Sequence, residues 1–368
     1  MRAAVLVEAG RPLLVCNDVE IAEPKAGQVR VKVQHCGVCH SDLSIVDGVF
    51  PSPTPVVLGH EAAGIVDAVG PDVSSLAPGD HVVLTPVPPC GSCYFCVRGE
   101  PGVCVNASAI TTNSFADGST GLSRGGGVVF RGVGVGAFAE YVLTQASGAV
   151  KIAHDVPLDV ACVIGCAVQT GVGAVFNTAR VEPGATVLVM GLGGVGLSIV
   201  QGASLAGAAR IIAADPLPAR RAVAKQFGAT DVLDPTAVDV VAQTQALTGV
   251  GADYAFDAVG RSNLIEDGLR ATRAGGTTVC VGAAPMDHAI TIAPAALFTI
   301  TEKKLLGCTL GSCNSLREIP RLIALWQSGR LDLGALVTAR RPLAEIDLAL
   351  ADLRAGNGIR TVLDMRTI

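Results

Sequence analysis

The sequence predicts an α/β fold in which a doubly wound parallel sheet is joined to a second, mainly β domain. Three observations carry that expectation. Residues 185–190 are a short, almost unbroken apolar run rich in β-branched valine, the pattern of a strand buried on both faces. From there to about residue 281, strand-like and helix-like stretches alternate in the rhythm of βαβ units. The earlier part of the chain is built instead from short apolar runs broken by Pro and Gly.

At 368 residues the chain is long enough for two domains with separate cores, and 50% hydrophobic against 16% charged residues suits a well-covered sheet. A net charge of −5 and the lack of any Lys/Arg run argue against nucleic-acid binding. The N-terminus has no long apolar segment with a small-residue cleavage site, so a cytoplasmic protein is expected. Residues 183–209 are free of charge and long enough to cross a bilayer, but their many glycines and Gln201 read as strand, turn and helix instead. Twelve cysteines are many where disulfides rarely persist, and their clustering points to metal.

In chain order, residues 2–35 predict a β-rich start, with apolar runs at 3–7 and 29–33 and turns at Pro12, Pro24 and Gly27. Residues 35–42, HCGVCHSD, crowd potential metal ligands together, and Leu58-Gly59-His60-Glu61 follows a Pro-rich loop. Runs at 64–69 and 81–84 continue the β character. Cys90, Cys93, Cys96 and Cys104 then come in the spacing C-x2-C-x2-C-x7-C, which lets four thiolates surround one tetrahedral zinc; Gly91 and Gly99 permit the loop to fold round it. With no open position, that zinc would brace a loop. Residues 106–136 are rich in Gly and Ser and predict a long surface loop, 137–143 a returning strand, and 163–171 the start of a helix.

The second domain is the more legible. After the 185–190 strand come Gly191, Gly193 and Gly196 in the order G-x-G-x-x-G, a helix over about 195–206, and a strand at 210–214 ending on Asp215. Such a unit binds a dinucleotide. Gly191 permits the tight turn, Gly193 lets the pyrophosphate approach the backbone, and Gly196 lets the helix lie close to the strand. The helix N-terminus, at Gly194 and Val195, offers unpaired N–H groups to the phosphates. Asp215 is placed to bond the adenosine ribose and would repel a 2′-phosphate, which favours NAD over NADP. Helices are expected at 217–227, 238–247, 316–326 and 344–353, and strands at 254–257, 277–281 and 359–365.

With these residues in hand, the chain resembles the zinc-dependent medium-chain alcohol dehydrogenases nearly end to end. The carriers are GVCHSD at 37–42, GHE at 59–61, the four-cysteine loop, GCAVQTG at 165–171, GLGGVG at 191–196 and GIRTVL at 358–363. The resemblance implies a mainly β, GroES-like catalytic domain from residues 1–167 and 310–368. It also implies a Rossmann NAD-binding domain at 168–309, with the active site in the cleft. It further implies two zinc ions per subunit and a homodimer or homotetramer. Spacing alone leaves open whether Cys36 or Cys39, and Cys162 or Cys166, would bind the catalytic metal; the resemblance selects Cys39, His60 and Cys166. Two thiolates, one imidazole and an open fourth position suit a zinc that polarises an alcohol or carbonyl oxygen.

By the same resemblance Ser41 takes the substrate proton, Asp42 orients His60, and Glu61 tunes the field at the metal. His40 lies beside the cofactor pyrophosphate, where relatives often have Arg; Arg360 reaches the same phosphates, and Arg220 lies near the ribose. Thr170 and Val195 flank the nicotinamide. Ser44 stands where relatives often have a relay histidine, which leaves the terminal base unassigned. Phe50 and Pro86 match substrate-pocket positions, and Pro86 replaces a frequent aromatic residue, which favours bulky or aromatic primary alcohols and aldehydes. Three rival readings stand beside this one. One is a formaldehyde dehydrogenase dependent on glutathione or mycothiol, another an enzyme that keeps its NAD tightly bound. The third is a non-catalytic relative, against which the intact Cys39, His60 and Cys166 argue.

Overall fold

The structure is a computed structural model that describes residues 1–367. It divides into two compact units, one formed by Met1–Ala167 with the segment from Asn314 onward, the other by Val168–Cys313.

The first unit is mainly β. One sheet runs in the order Ala149–Lys151, His81–Leu84, Glu61–Val69, Gln28–Gly37, Arg360–Asp364 and Val337–Pro342, with Tyr141–Gln145 also paired to Gln28–Gly37. All its pairings are antiparallel except the last, between Arg360–Asp364 and Val337–Pro342. A second sheet joins Leu14–Cys16, Ala3–Leu6, Val56–Val57, Gly127–Arg131, Leu122–Arg124 and Val19–Ile21. Alternation along these strands buries one face, and Val29, Val31, Val33, Val57, Leu58, Leu84, Phe138 and Leu363 share one core.

The second unit is a six-stranded parallel sheet: Asp231–Leu233, Arg210–Ala214, Thr186–Met190, Ala252–Asp257, Thr272–Cys280 and Lys304–Gly307. Numbered within the unit, this is the order 3-2-1-4-5-6 of the Rossmann sheet, which binds ligands where the order reverses, beside the first strand. The charge-free stretch at 183–209 is the strand Thr186–Met190 and the helix Gly194–Leu205. No single helix among the described residues is long and apolar enough to cross a membrane.

Residues 106–136 differ from the expected surface loop. They contain the hairpin Leu122–Arg124/Gly127–Arg131, and Phe115, Leu122, Val129, Val133 and Val135 are buried. Its two-residue turn, Gly125-Gly126, has positive φ at both positions, the requirement of a tight hairpin, and a Gly-Gly pair is the signal that composition alone hid. The returning strand also starts later than expected, at Tyr141, because Ala137 and Phe138 bond instead to the carbonyls of Gly59 and Leu58.

Candidate metal centre and dinucleotide site

Antiparallel register brings the metal-ligand candidates together. Gly37 pairs with Glu61 and Cys36 with Ala62, so the turn after one strand meets the residue before the other. Cys39 then caps the helix His40–Val46, and His60 stands just before Glu61–Val69. Cys166 occupies the break between the turn Cys162–Gly165 and the helix Ala167–Gly173, with φ −138° and ψ −74°. The ligand atoms of Cys39, His60 and Cys166 all lie within 4.8 Å of one another. Of the alternatives that spacing left open, Cys36 and Cys162 stay outside: their thiols donate to the carbonyls of Gly37 and Asp159, and burial pushes both thiols up.

Asp42 fixes the geometry. It is fully buried, and Oδ2 accepts from the N–H of Cys39 at 3.1 Å while Oδ1 accepts from the N–H of Gly59 at 2.9 Å. The same Oδ1 lies 3.1 Å from His60 Nδ1, which sets the tautomer and leaves Nε2 as the free lone pair. That Nε2 is buried without a hydrogen-bond partner, as suits a nitrogen held for a metal. Two thiols and an orphaned imidazole nitrogen fit zinc, and only Cys166 of the three is more than slightly exposed.

Charge at this cluster is tightly coupled. The Cys166 thiol donates towards Cys39 and, with Arg360 and His60, holds the Cys39 thiol well below its ordinary value, while Cys166 itself is held well above. His60 is raised despite its burial by Asp42 and Cys39. Burial lifts Glu61 to about 7, against the opposing pull of Arg360. Glu61 Oε1 accepts from the N–H of Ala167 at 3.0 Å, and Oε2 lies 3.2 Å from Arg360 Nε. Arg360, expected at the cofactor phosphates, is buried here against Glu61, and its Nη1 donates to the Val38 carbonyl at 2.7 Å.

Ser41 is half-buried in the first turn of its helix, with Oγ 3.9 Å from Cys39 Sγ, and His40 is exposed beside it. The Ser44 carbonyl accepts from Val49 and Phe50, and Phe50 packs half-buried against the core. Pro86 is buried next to Thr85, whose hydroxyl is 2.8 Å from that of Ser315.

The four sulfurs of Cys90, Cys93, Cys96 and Cys104 also lie within 4.8 Å of one another. Backbone N–H groups point at them: Cys93 at Cys90 Sγ (3.3 Å), Cys96 at Cys93 Sγ (3.5 Å) and Cys90 at Cys104 Sγ (3.4 Å). Such bonds favour thiolate: the backbone N–H of Ser92 leads in lowering Cys90 to about 6, whereas burial lifts Cys104 to about 12. All twelve cysteines are free, so nothing competes with metal for these four.

In the second unit each motif glycine meets a distinct constraint. Gly191 has φ +89°, and a Cβ on Gly196 would run into the Gly191 carbonyl oxygen. Gly193, by contrast, has nothing within 4 Å of a built Cβ, so its free face is open to a ligand. Gly194 opens the helix and Val195 is half-buried in its first turn. Asp215 is buried at the end of Arg210–Ala214, where Oδ2 accepts from Leu192 and Oδ1 from Leu217, each at 2.8 Å. Arg220 Nη1 lies 3.9 Å from Asp215 Oδ2. Thr170 is buried in the helix Ala167–Gly173. Sequence reasoning named Asp215 but missed that it ties the glycine turn to the next helix.

A parallel sheet in this order with a glycine-lined turn, in a chain carrying two thiol clusters, defines a metal-containing dinucleotide-dependent oxidoreductase. Residues 25–154 match the alcohol dehydrogenase GroES-like domain and residues 194–328 the zinc-binding dehydrogenase domain. The chain is 37% identical over 367 residues to S-(hydroxymethyl)glutathione dehydrogenase of Synechocystis sp., covering 98% of this chain and 99% of that one. The solved benzyl alcohol dehydrogenase of Acinetobacter calcoaceticus superposes with a TM-score of 0.92 at 32% identity, over 99% of this chain and 98% of that one. A putative zinc-binding dehydrogenase of Sinorhizobium meliloti, solved with NADP bound, gives 0.80 at 28% identity over 99% and 98%. The chain belongs to the zinc-dependent medium-chain alcohol dehydrogenase family. It is a zinc-containing oxidoreductase of the alcohol dehydrogenase type, with zinc and NAD(H) as its cofactors.

Proposed function

We propose that the protein interconverts primary alcohols larger than ethanol and their aldehydes, with NAD(H) as the hydride partner. The observation that carries the reading is the Cys39–His60–Cys166 cluster with its orphaned, Asp42-oriented His60 Nε2. These three residues would hold the catalytic zinc, and Cys90, Cys93, Cys96 and Cys104 the bracing one. Zinc, when bound, supplies a Lewis acid that lowers the pKa of an alcohol. The Ser41 hydroxyl, two residues beyond Cys39, takes the substrate proton. Asp42 keeps His60 in the ligating tautomer, and the buried Glu61–Arg360 pair sets the charge behind the thiols. Asp215 selects the unphosphorylated ribose, and the open face of Gly193 admits the pyrophosphate.

The small, buried Pro86 and the half-buried Phe50 support a substrate with a bulky or aromatic group. A hydroxymethyl thiol adduct is such an alcohol, and the Synechocystis relative supports it as the second reading. The exposed edge strand Lys304–Gly307 and the exposed Met286, Ile290, Leu297 and Ile300 support assembly through the second unit into a dimer or tetramer. NADH absorbance tests the reading, with benzyl alcohol, long-chain alcohols and formaldehyde with and without glutathione or mycothiol. Turnover abolished by Cys39→Ala is expected. Full activity of that variant would overturn the assignment.

A further inference from the structure

Phe138 is a fully buried side chain that the proposed chemistry leaves unused. Its backbone is fixed at both ends: the N–H donates to the Leu58 carbonyl at 2.7 Å, and the carbonyl accepts from the N–H of Ala4 at 2.8 Å. The ring lies over Gly59, where an added Cβ would collide with Phe138 Cδ1 and with the Phe138 backbone nitrogen. Gly59 also has φ +88°, a left-handed conformation that residues with a side chain rarely adopt. Position 59 thus needs a glycine both for its own backbone and to admit the ring.

Gly59 immediately precedes His60, so whatever holds its peptide groups sets where the imidazole begins. Its N–H donates to Asp42 Oδ1 at 2.9 Å, its carbonyl accepts from the N–H of Ala137 at 2.8 Å, and the Phe138 ring covers the face where a side chain would stand. The Gly59 carbonyl lies in one planar peptide with the His60 nitrogen, so the bond from Ala137 fixes the plane from which the His60 Cα departs. Asp42 fixes the ring end of His60 through Nδ1, and the segment carrying Phe138 fixes the backbone end. A ligand whose supporting contacts are loose misses its place by about 1 Å, which is enough to spoil a site.

We infer that Phe138 is a positioning residue for the catalytic metal: seated on Gly59, it holds the backbone of His60 so that Nε2 meets the sulfurs of Cys39 and Cys166. The inference rests on the assignment of those three residues as zinc ligands and deepens it. Truncating the ring opens a void beside a glycine, the residue least able to keep its own conformation once a neighbour is gone. The four-cysteine site has its own loop and shares none of these contacts.

The test uses the full chain as wild type, Phe138→Leu and Phe138→Ala. Phe256→Leu is the control, an equally buried phenylalanine in the strand Ala252–Asp257 of the other unit. One readout is metal per chain during a chelator titration of zinc-loaded protein. The other is the visible spectrum of protein carrying cobalt(II) in the catalytic site, whose bands report ligand geometry. F138A should release one zinc of two at a chelator concentration about 10- to 100-fold below wild type, with F138L between them, and the four-cysteine zinc should be held throughout. The cobalt bands should shift and weaken in the same order. F256L should lower Tm yet keep the wild-type midpoint and spectrum. If F138A does not fold, F138L decides by the same readouts. A wild-type midpoint and cobalt spectrum in the Phe138 variants would overturn the inference, as would loss of the same zinc from F256L, which would mark general loosening. A wild type that holds only the four-cysteine zinc would overturn the metal-centre assignment and this inference with it; with two zincs bound, failure belongs to Phe138 alone.

Discussion

Replacing Asp42 by Asn tests how much of the metal centre depends on one carboxylate. In the wild type both oxygens only accept: Oδ2 from Cys39, and Oδ1 from Gly59 and His60 Nδ1. An amide keeps one acceptor and turns the other into a donor. If its oxygen faces Gly59 and His60, its NH2 confronts the N–H of Cys39. If it is flipped, NH2 confronts the N–H of Gly59 and donates to Nδ1, which forces the proton onto Nε2 and spoils the ligand. Either orientation leaves at least one buried N–H unpaired, a cost of about 1–3 kcal/mol. At about 2–4 °C per kcal/mol, that lowers Tm by roughly 2–12 °C. Because Asp42 orients a metal-binding imidazole, catalytic zinc affinity should also fall about 10- to 100-fold. The assay titrates a chelator against zinc-loaded protein and counts the metal retained. The expected result is early loss of one zinc of two in D42N, with the four-cysteine zinc held as in wild type. An unchanged chelator midpoint and Tm would refute the role given to Asp42. Asp42→Ala, which strands three donors, should be the more damaging change, at about 3–9 kcal/mol.

Three further outcomes are expected. Cys104→Ser should lose the other zinc, leaving about one per chain by metal analysis, with a lower Tm, because its buried sulfur also accepts from the Cys90 N–H. Gly193→Ala adds a methyl into open space, so its Tm should match wild type while the NADH dissociation constant, read by fluorescence, rises at least about tenfold. Asp364 is held at about 2, first by its hydrogen bond from Arg366. A carboxylate depressed in the fold stabilises above its ordinary value of 3.8, and that stability is lost as pH falls towards 2. Asp364→Asn should therefore cost about 1–2 kcal/mol at pH 7, allowing for the exposed Arg366 partner. The difference from wild type should shrink as pH falls below 3.8 and vanish in denaturant melts only below about pH 2.

What the sequence determined by itself is local. The strand–glycine–helix unit at 185–206 and the four-cysteine spacing each lie within one short stretch, so residue type and separation carry the chemistry. Both were legible without coordinates. The order of the parallel strands, the edge strand Lys304–Gly307 and the hairpin hidden in 106–136 were not, because pairing partners and burial depend on contacts distant in sequence. Spacing left Cys36 against Cys39 and Cys162 against Cys166 open, and only the resemblance chose between them; the tertiary structure supplies the geometry, since the register of Gly37 with Glu61 and the break at Cys166 aim those two sulfurs at His60. It alone joined Arg360 to Glu61 and set Arg131 against the Phe115 ring. Spacing along the chain can nominate a ligand, but a buried charge and its partner exist only once the chain has closed around them.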